Sequence, residues 1–413
     1  MAFSQGISGL AAAASNLDVI GNNIANSGTV GFKSAAATFQ DVYAGSRVGL
    51  GASVAGVVQN FTQGVTQTSS RGLDVAILNG DGFYRLSSPS GEVMYSRNGQ
   101  FTRDNSGYII NAAGLQLTGY GVSATGTING GTPAPIQIPT AAMTPKPTTK
   151  ISAEFNLDMR LKTPAKTPFN ANDSDTFNYS NALGPIYDSL GGPHELGAYF
   201  VKAPAPATNT WNVYGSVDGT TMTSGGPPAT PTVLGTYTFD QNGNMATPAS
   251  GAFTVGPLTF TNGSAPLTAT VDLTGTTQFG NANSINALKQ DGYTSGQLTA
   301  FSINPDGTIT GTYSNEQTQL LGQVVLSSFA NPNGLEPMGE NVWKETAASG
   351  QALTGTPGAG TKLGSLAAGA LEASNVDLTS ELVNLIVAQR SYQANAQTVK
   401  TQDQVMQTLM QIR

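Results

Sequence analysis

The chain has 413 residues, enough for two or three domains with cores of their own, yet only 10% are charged where about 25% is usual. A net charge of -7 with no Lys or Arg cluster argues against a nucleic-acid partner. The lack of cysteine excludes disulfides and thiolate metal sites, and no apolar run approaches the ~20 residues of a membrane helix, so no membrane insertion is expected.

Residues 1–26 read as a helix. Phe3, Ile7, Leu10, Ala14, Leu17, Gly21 and Ile24 advance by four and three alternately, the heptad spacing of a narrow seam suited to helix against helix. The first basic residue is Lys33, so the N-terminus lacks the positive region of a signal peptide, and a route out of the cell would use no cleaved signal. The helix should fail at Asn26-Ser27-Gly28. Glycines at 28, 31, 45, 49, 51, 56 and 64 then make residues 27–70 an extended, turn-rich bridge.

From Arg71 the period changes to two. Leu73 to Leu78, Gly82 to Leu86 and Val93 to Ser96 read as short strands separated by Asn-Gly and Ser-Gly turns, the start of an antiparallel β domain over 71–149. Prolines at 133, 135, 139, 145 and 147 mark a boundary. Beyond it Ile151, Ala153, Phe155, Leu157 and Met159 alternate, opening a second β domain over 150–284. Residues 285–349 resume the earlier style, so the second β domain reads as an insertion in the first. Gly-rich residues 350–369 mirror the bridge.

The last element is a helix from Leu378 to Arg413, with Ser374 or Asp377 as N-cap, closing a terminal helical domain of 1–26 and 370–413. Its stripe is Leu378, Leu382, Leu385, Gln389, Tyr392, Ala396, Val399, Asp403, Met406 and Met410. Seven glutamines on this helix fit either a solvated face or lateral amide contacts along a polar wall. The expected fold is thus multidomain, α plus mainly β. Coiled-coil-like terminal helices bracket two nested antiparallel β domains, and the lone helix pair leaves apolar surface to bury against copies of itself.

Residues for chemistry are sparse. With one histidine, His194, a His cluster is impossible, and its place in Gly191-Gly192-Pro193-His194-Glu195 reads as a solvated turn. Asp81, Asp218, Asp240 and Asp306 sit at turns, and Gly355 to Lys362 misses the phosphate-loop spacing by one residue. No catalytic, cofactor or metal site is expected, and no enzyme.

Asn16 to Lys33, with Asn22, Asn23, Ile24, Asn26, Gly31 and Phe32, resembles the N-terminal signature of bacterial flagellar rod and hook proteins. Leu371 to Leu378, with Asn375 and Asp377, followed by Gln389-Arg390-Ser391-Tyr392, resembles their C-terminal signature. Arg71 to Ile77, Tyr95 to Phe101 and Tyr313 to Gln317 extend the resemblance into the first β domain, and the chain length fits the hook branch rather than the shorter rod proteins. The resemblance implies a homopolymeric tube outside the cell that is curved, bendable and passes motor torque to a filament. Its inner wall would be built from the terminal helices, with Phe3, Ile7, Leu10, Leu17, Ile24, Leu378, Leu382, Leu385, Tyr392, Val399, Met406 and Met410 at subunit interfaces. The bridge and first β domain would form the middle and the inserted domain would face outward. It further implies export through the flagellar type III apparatus, with rod, hook cap and hook-filament junction proteins as partners. Phe39 and Tyr43 fit the aromatic-x-x-x-hydrophobic pattern of export-gate recognition. Other readings are a distal-rod relative or another axial protein and, from a different class, a secreted β-rich enzyme or adhesin.

Overall fold

The computed structural model describes residues 2–42, 51–123, 126–224 and 230–411. The chain divides into two compact units, one of Met1–Thr140, Thr299–Thr312 and Thr318–Arg413, the other of Ala141–Leu298 and Tyr313–Gln317. The architecture is mainly β in several sheets, with an α-helix near each end.

In the first unit, α1 spans Ala2–Ala25 and α2 spans Leu378–Gln411. They pack antiparallel: Gly6 meets Val399, Gly9 meets Asn395, and Asn23 reaches Glu381. A Cβ added to Gly6 would lie 2.9 Å from the Val399 Cγ2, and one on Gly9 would lie 2.9 Å from the Asn395 Oδ1. Small residues therefore set the approach of the helices. On α1 the covered positions are Gly6, Ala12, Ala13, Ile20 and Asn23. The expected stripe lies around the helix from this seam, with Phe3 and Ile7 46% and 49% exposed. The reason is steric, because bulky residues at the seam would hold the axes apart, and glycine and alanine do not.

Strands β1 (Ala35–Asp41) and β2 (Ala52–Gln59) form an antiparallel hairpin with an irregularity between Thr38 and Phe39. The segment read from its glycines as an extended bridge thus contains a sheet of its own. Its residues are mostly exposed or half-buried, so it lacks the clean alternation that announces a strand.

The bridge is fastened by pairing across the sequence. Strand β3 (Thr66–Thr68) pairs with Ala370–Glu372, and β4 (Val75–Leu78) pairs with Ser365–Ala368. Strand β5 (Phe83–Ser87) lies between β6 (Val93–Ser96) and Gln116–Tyr120 in the large sheet of this unit. Phe83, Tyr95, Phe329, Leu335 and Trp343 form an aromatic-rich core there, against which Phe61 of the bridge packs. Phe61 stands 5.5 Å from Phe83 and 5.7 Å from Trp343, ring centre to ring centre and edge to face, a geometry worth about 0.5–1.5 kcal/mol per pair.

Two main sheets build the second unit, beside a short separate pairing of Thr223–Ser224 with Thr230–Pro231. One holds Lys150–Asn156, Ala252–Leu258, Leu267–Asp272 and Ser284–Gln290, and the other is built on Tyr179–Tyr187, Pro193–Lys202, Thr210–Val217 and Val233–Phe239. Both contribute to a single core that includes Phe155, Phe200, Trp211, Tyr237 and Val271. Ile151, Ala153, Phe155 and Leu157 are buried as their alternation predicts, while Met159, past the strand end, is exposed. Lys150–Asn156 runs parallel to Leu267–Asp272, so this sheet is mixed rather than purely antiparallel.

Candidate functional site

The exposed faces of α1 and α2 carry most of the residues singled out at the ends of the chain. Leu10, Leu17, Ile24, Leu385 and Val399 are partly covered, whereas Phe3, Ile7, Leu378, Leu382, Tyr392, Met406 and Met410 are exposed. Against α1, α2 presents Glu381, Leu385, Ala388, Asn395 and Val399, again at steps of three, four or seven. Outside that seam lies a second apolar face of Leu378, Leu382, Val383, Ile386 and Val387, between 46% and 62% exposed, of which the heptad reading had Leu378 and Leu382 and missed the other three. The adjacent pairs Leu382-Val383 and Ile386-Val387 carry the signal, since one heptad track admits only one residue of each pair. Gln389, Arg390, Gln393, Gln397, Gln404 and Gln407 are also exposed. Continuing the antiparallel register places Ala2 near Asp403, so the last two turns of α2, with Met406 and Met410, run past the start of α1. Phe39 is exposed on β1, and Tyr43 lies outside the described residues.

The asparagines of the two end motifs are ties between segments. Asn23, 1% exposed, accepts from the Ala35 N–H at 2.9 Å, and its amide donates to the Ala35 carbonyl at 2.7 Å and to the Glu381 Oε1 at 3.1 Å. Asn26 closes α1 by donating to the Asn22 carbonyl at 3.0 Å and accepting from the Thr29 hydroxyl at 3.1 Å. Asn375 accepts from the Ser34 N–H at 2.8 Å and donates to the carbonyls of Asn60 and Thr62 at 2.8 and 3.1 Å. Asp377 caps α2, taking the Thr379 N–H at 2.9 Å, and Ser374 does not. Gly31 has φ +71, and a Cβ there would come within 2.7 Å of the Asn98 nitrogen, so glycine is required next to half-buried Phe32.

Between these ties lies a buried charge cluster. Lys33, Arg97 and Glu372 come from the N-terminal motif, the Tyr95 to Phe101 motif and the C-terminal motif, and each side chain is at most 1% exposed. The Lys33 Nζ stands 2.6 Å from the Glu372 Oε1 and donates to the Thr62 carbonyl at 2.8 Å. The same Glu372 oxygen accepts from the Gly64 N–H at 2.8 Å, and Arg97 stands 3.6 Å from the other. Arg97 also donates to the Gly80 carbonyl at 2.9 Å and lies over the Phe83 ring at 5.2 Å. Two buried cations thus share one carboxylate. Burial draws the Lys33 ammonium below its ordinary value against the pull of Glu372, and lowers Arg97 in the same way. Sequence reasoning had the three motifs but not this convergence, because its members lie up to 339 positions apart.

In the second unit, His194 is not the solvated turn residue expected. It is the second residue of the strand Pro193–Lys202, stacks on Phe260 at 3.5 Å, and is held between the carboxylates of Asp218 at 2.7 Å and Asp188 at 3.4 Å. Among the described residues no group of three or more His, Cys, Asp or Glu is placed to hold a metal ion, and no helix is long and apolar enough to cross a membrane.

Four family models match the chain in order. They are the flagella basal body rod protein over 4–33, the flagellar hook protein FlgE/F/G D1 domain over 77–153, the flagellar basal body protein FlaE D2 domain over 156–293, and the flagellar basal body rod FlgEFG protein C-terminal region over 367–412. Over the full length of both chains, the sequence is 50% identical to the flagellar hook protein FlgE of Salmonella typhimurium and 49% identical to that of Escherichia coli. It is 33% identical to that of Treponema pallidum, with 99% of this chain and 98% of the relative covered. A solved structure, the Helicobacter pylori flagellar hook protein FlgE2, is similar in fold with a TM-score of 0.50 at 16% identity, covering 70% of this chain and 96% of its own.

Proposed function

This chain belongs to the flagellar hook protein family, and from that membership we propose that the exposed faces of α1 and α2 are the contacts through which its copies polymerise. It is a structural subunit of the bacterial flagellar hook. The observation that carries the proposal is the second apolar face of α2, from Leu378 to Val387, left open by α1 in the same chain. Five large apolar side chains in ten residues form a contiguous patch rather than scattered exposure. Covering them fully would stabilise a contact by about 1 kcal/mol or more each. The partner is a second copy, whose own open faces include Phe3 and Ile7 on α1 and Met406 and Met410 on α2. In this reading the terminal helices give the lasting contacts of a curved, bendable tube that carries motor torque, and export proceeds through the flagellar type III apparatus to sites bounded by rod, hook cap and junction proteins.

The double variant Leu382→Asp, Ile386→Asp tests this. Both side chains are half-exposed, so the unassembled chain should keep its melting temperature while polymer formation, followed by sedimentation and electron microscopy, is lost. Polymers of normal yield and length from this variant would refute the proposal.

A further inference from the structure

His194, the chain's single histidine, ties together three segments of the second unit. Its Nδ1 lies 2.7 Å from the Asp218 Oδ2, in the turn after Thr210–Val217, and its Nε2 lies 3.4 Å from the Asp188 Oδ2, in the turn before its own strand. The ring stacks at 3.5 Å and 15° on Phe260, in the loop between Ala252–Leu258 and Leu267–Asp272, two strands of the other sheet. Asn262 of that loop donates to the same Asp188 Oδ2. We propose that this cluster is a pH-sensitive clamp: with a proton on both ring nitrogens, His194 holds the 258–266 loop of one sheet to the 188–192 turn of the other, and loss of one proton releases it.

The argument is one of donors. An ionised carboxylate only accepts, and each ring nitrogen faces one, so only the imidazolium can donate to both. The Asp188 side chain is 0% exposed and takes the Leu190 and Gly192 N–H groups at 2.9 and 2.8 Å, bonds that keep it ionised. Among the described residues no Lys or Arg lies within ion-pair distance of Asp188 or Asp218. Lys146, beside the Pro145 that meets Gly191, pairs instead with Asp291 at 3.0 Å, and Glu195, next along the strand, is exposed. His194 is thus the one counter-charge of both carboxylates. When the ring keeps a single proton, the shorter bond to Asp218 holds it at Nδ1, and the Nε2 lone pair then faces a carboxylate sealed from water. The attraction of the cation for the Phe260 ring falls at the same time. The contact that gives way borders a cavity of about 460 Å³, whose wall includes His194, Val217, Leu258 and Phe260. Because the closed clamp favours the protonated ring, its stabilisation is present at acid pH and is lost as the ring gives up its proton. The lower limit is set by Asp188, which takes up a proton only toward pH 2.

Hydrogen exchange of the full-length chain, unassembled, tests this, with protection compared at about pH 5.5 and about pH 8, across the range in which an imidazole ordinarily titrates. In the unmodified chain, protection of residues 188–195 and 258–266 should fall by about fivefold or more between the two, while the strand Thr210–Val217 of the same unit is unchanged. His194→Gln, which carries no titrating group, should remove the dependence. Asp188→Asn, which offers a donor to the unprotonated Nε2, should flatten it as well. The proposal is overturned by any of three results: equal protection of the two segments at both pH values in the unmodified chain, an equal fall in Thr210–Val217, or the same fall persisting in His194→Gln.

Discussion

The side chain of Asn23, in the last turn of α1, holds both backbone groups of Ala35, accepting from its N–H at 2.9 Å and donating to its carbonyl at 2.7 Å. One amide thereby sets the angle at which the chain passes from helix to hairpin, and the same Nδ2 reaches Glu381 on α2. Only a group that donates and accepts side by side can do this.

Replacing Asn23 with Ala should destabilise the first unit by about 2 kcal/mol or more, since three side-chain bonds are lost and buried partners are left unmet. Asn23→Asp should be at least as harmful near neutral pH. Its carboxylate would accept from the Ala35 N–H but face the Ala35 carbonyl and Glu381, and acid should relieve part of the defect. Denaturant unfolding read by Trp343 fluorescence in a Trp211→Phe background checks both, since the chain has 2 tryptophans, one in each unit.

The seam between the helices predicts a size limit at Gly6. Gly6→Ala places a Cβ within 2.9 Å of the Val399 Cγ2 and should lower stability, and Val399→Ala should recover part of the loss. A double-mutant cycle should give a coupling of about 1 kcal/mol. Additive effects would mean that the two residues do not meet.

Removing the cap of α2 with Asp377→Ala should weaken the helix by about 1 kcal/mol, because the Thr379 N–H loses its acceptor. Ser374→Ala should have little effect. Hydrogen exchange in the first turn of α2 reads the difference.

The second unit should show acid sensitivity centred on Asp188. Burial alone would raise this carboxyl, but bonds from Asn262, the Gly192 and Leu190 amides and His194 outweigh burial and hold it at about 2. A folded value below the ordinary 3.8 means that the unfolded chain takes up the proton first as pH falls. The stabilisation is complete above about pH 4 and is lost as pH drops toward 2. Asp188→Asn should be less stable at neutral pH and show a shallower decline through that window, measured as the melting temperature of the second unit.

The parts of this fold legible in the sequence were those with local causes. The end of α1 at Asn26, the start of α2 at Leu378 and the buried alternation from Ile151 to Leu157 follow from capping, glycine and period two. The β1–β2 hairpin was hidden because Ala35, Ala36 and Ala37 are weak strand formers and its glycines dominate the composition. The seam face of α1 was missed for a related reason: Gly6, Gly9 and Ala13 look like gaps in an apolar stripe, although close helix contact selects them. Nothing in a linear pattern pairs Lys33 with Glu372, or places His194 between Asp188 and Asp218, because such contacts exist only once the strands between them have paired.

The central claim is that the open apolar faces of the terminal helices are covered by neighbouring copies. The chain has 0 cysteines, so single-cysteine variants at Ile7 and Ile386 can be labelled with a maleimide without background. Labelling rates would be compared between the unassembled chain and the polymer. If the faces are subunit contacts, both positions should react readily when unassembled and slow by about tenfold or more in the polymer, as in the desolvated core of an interface. Equal rates in the two states would contradict the account.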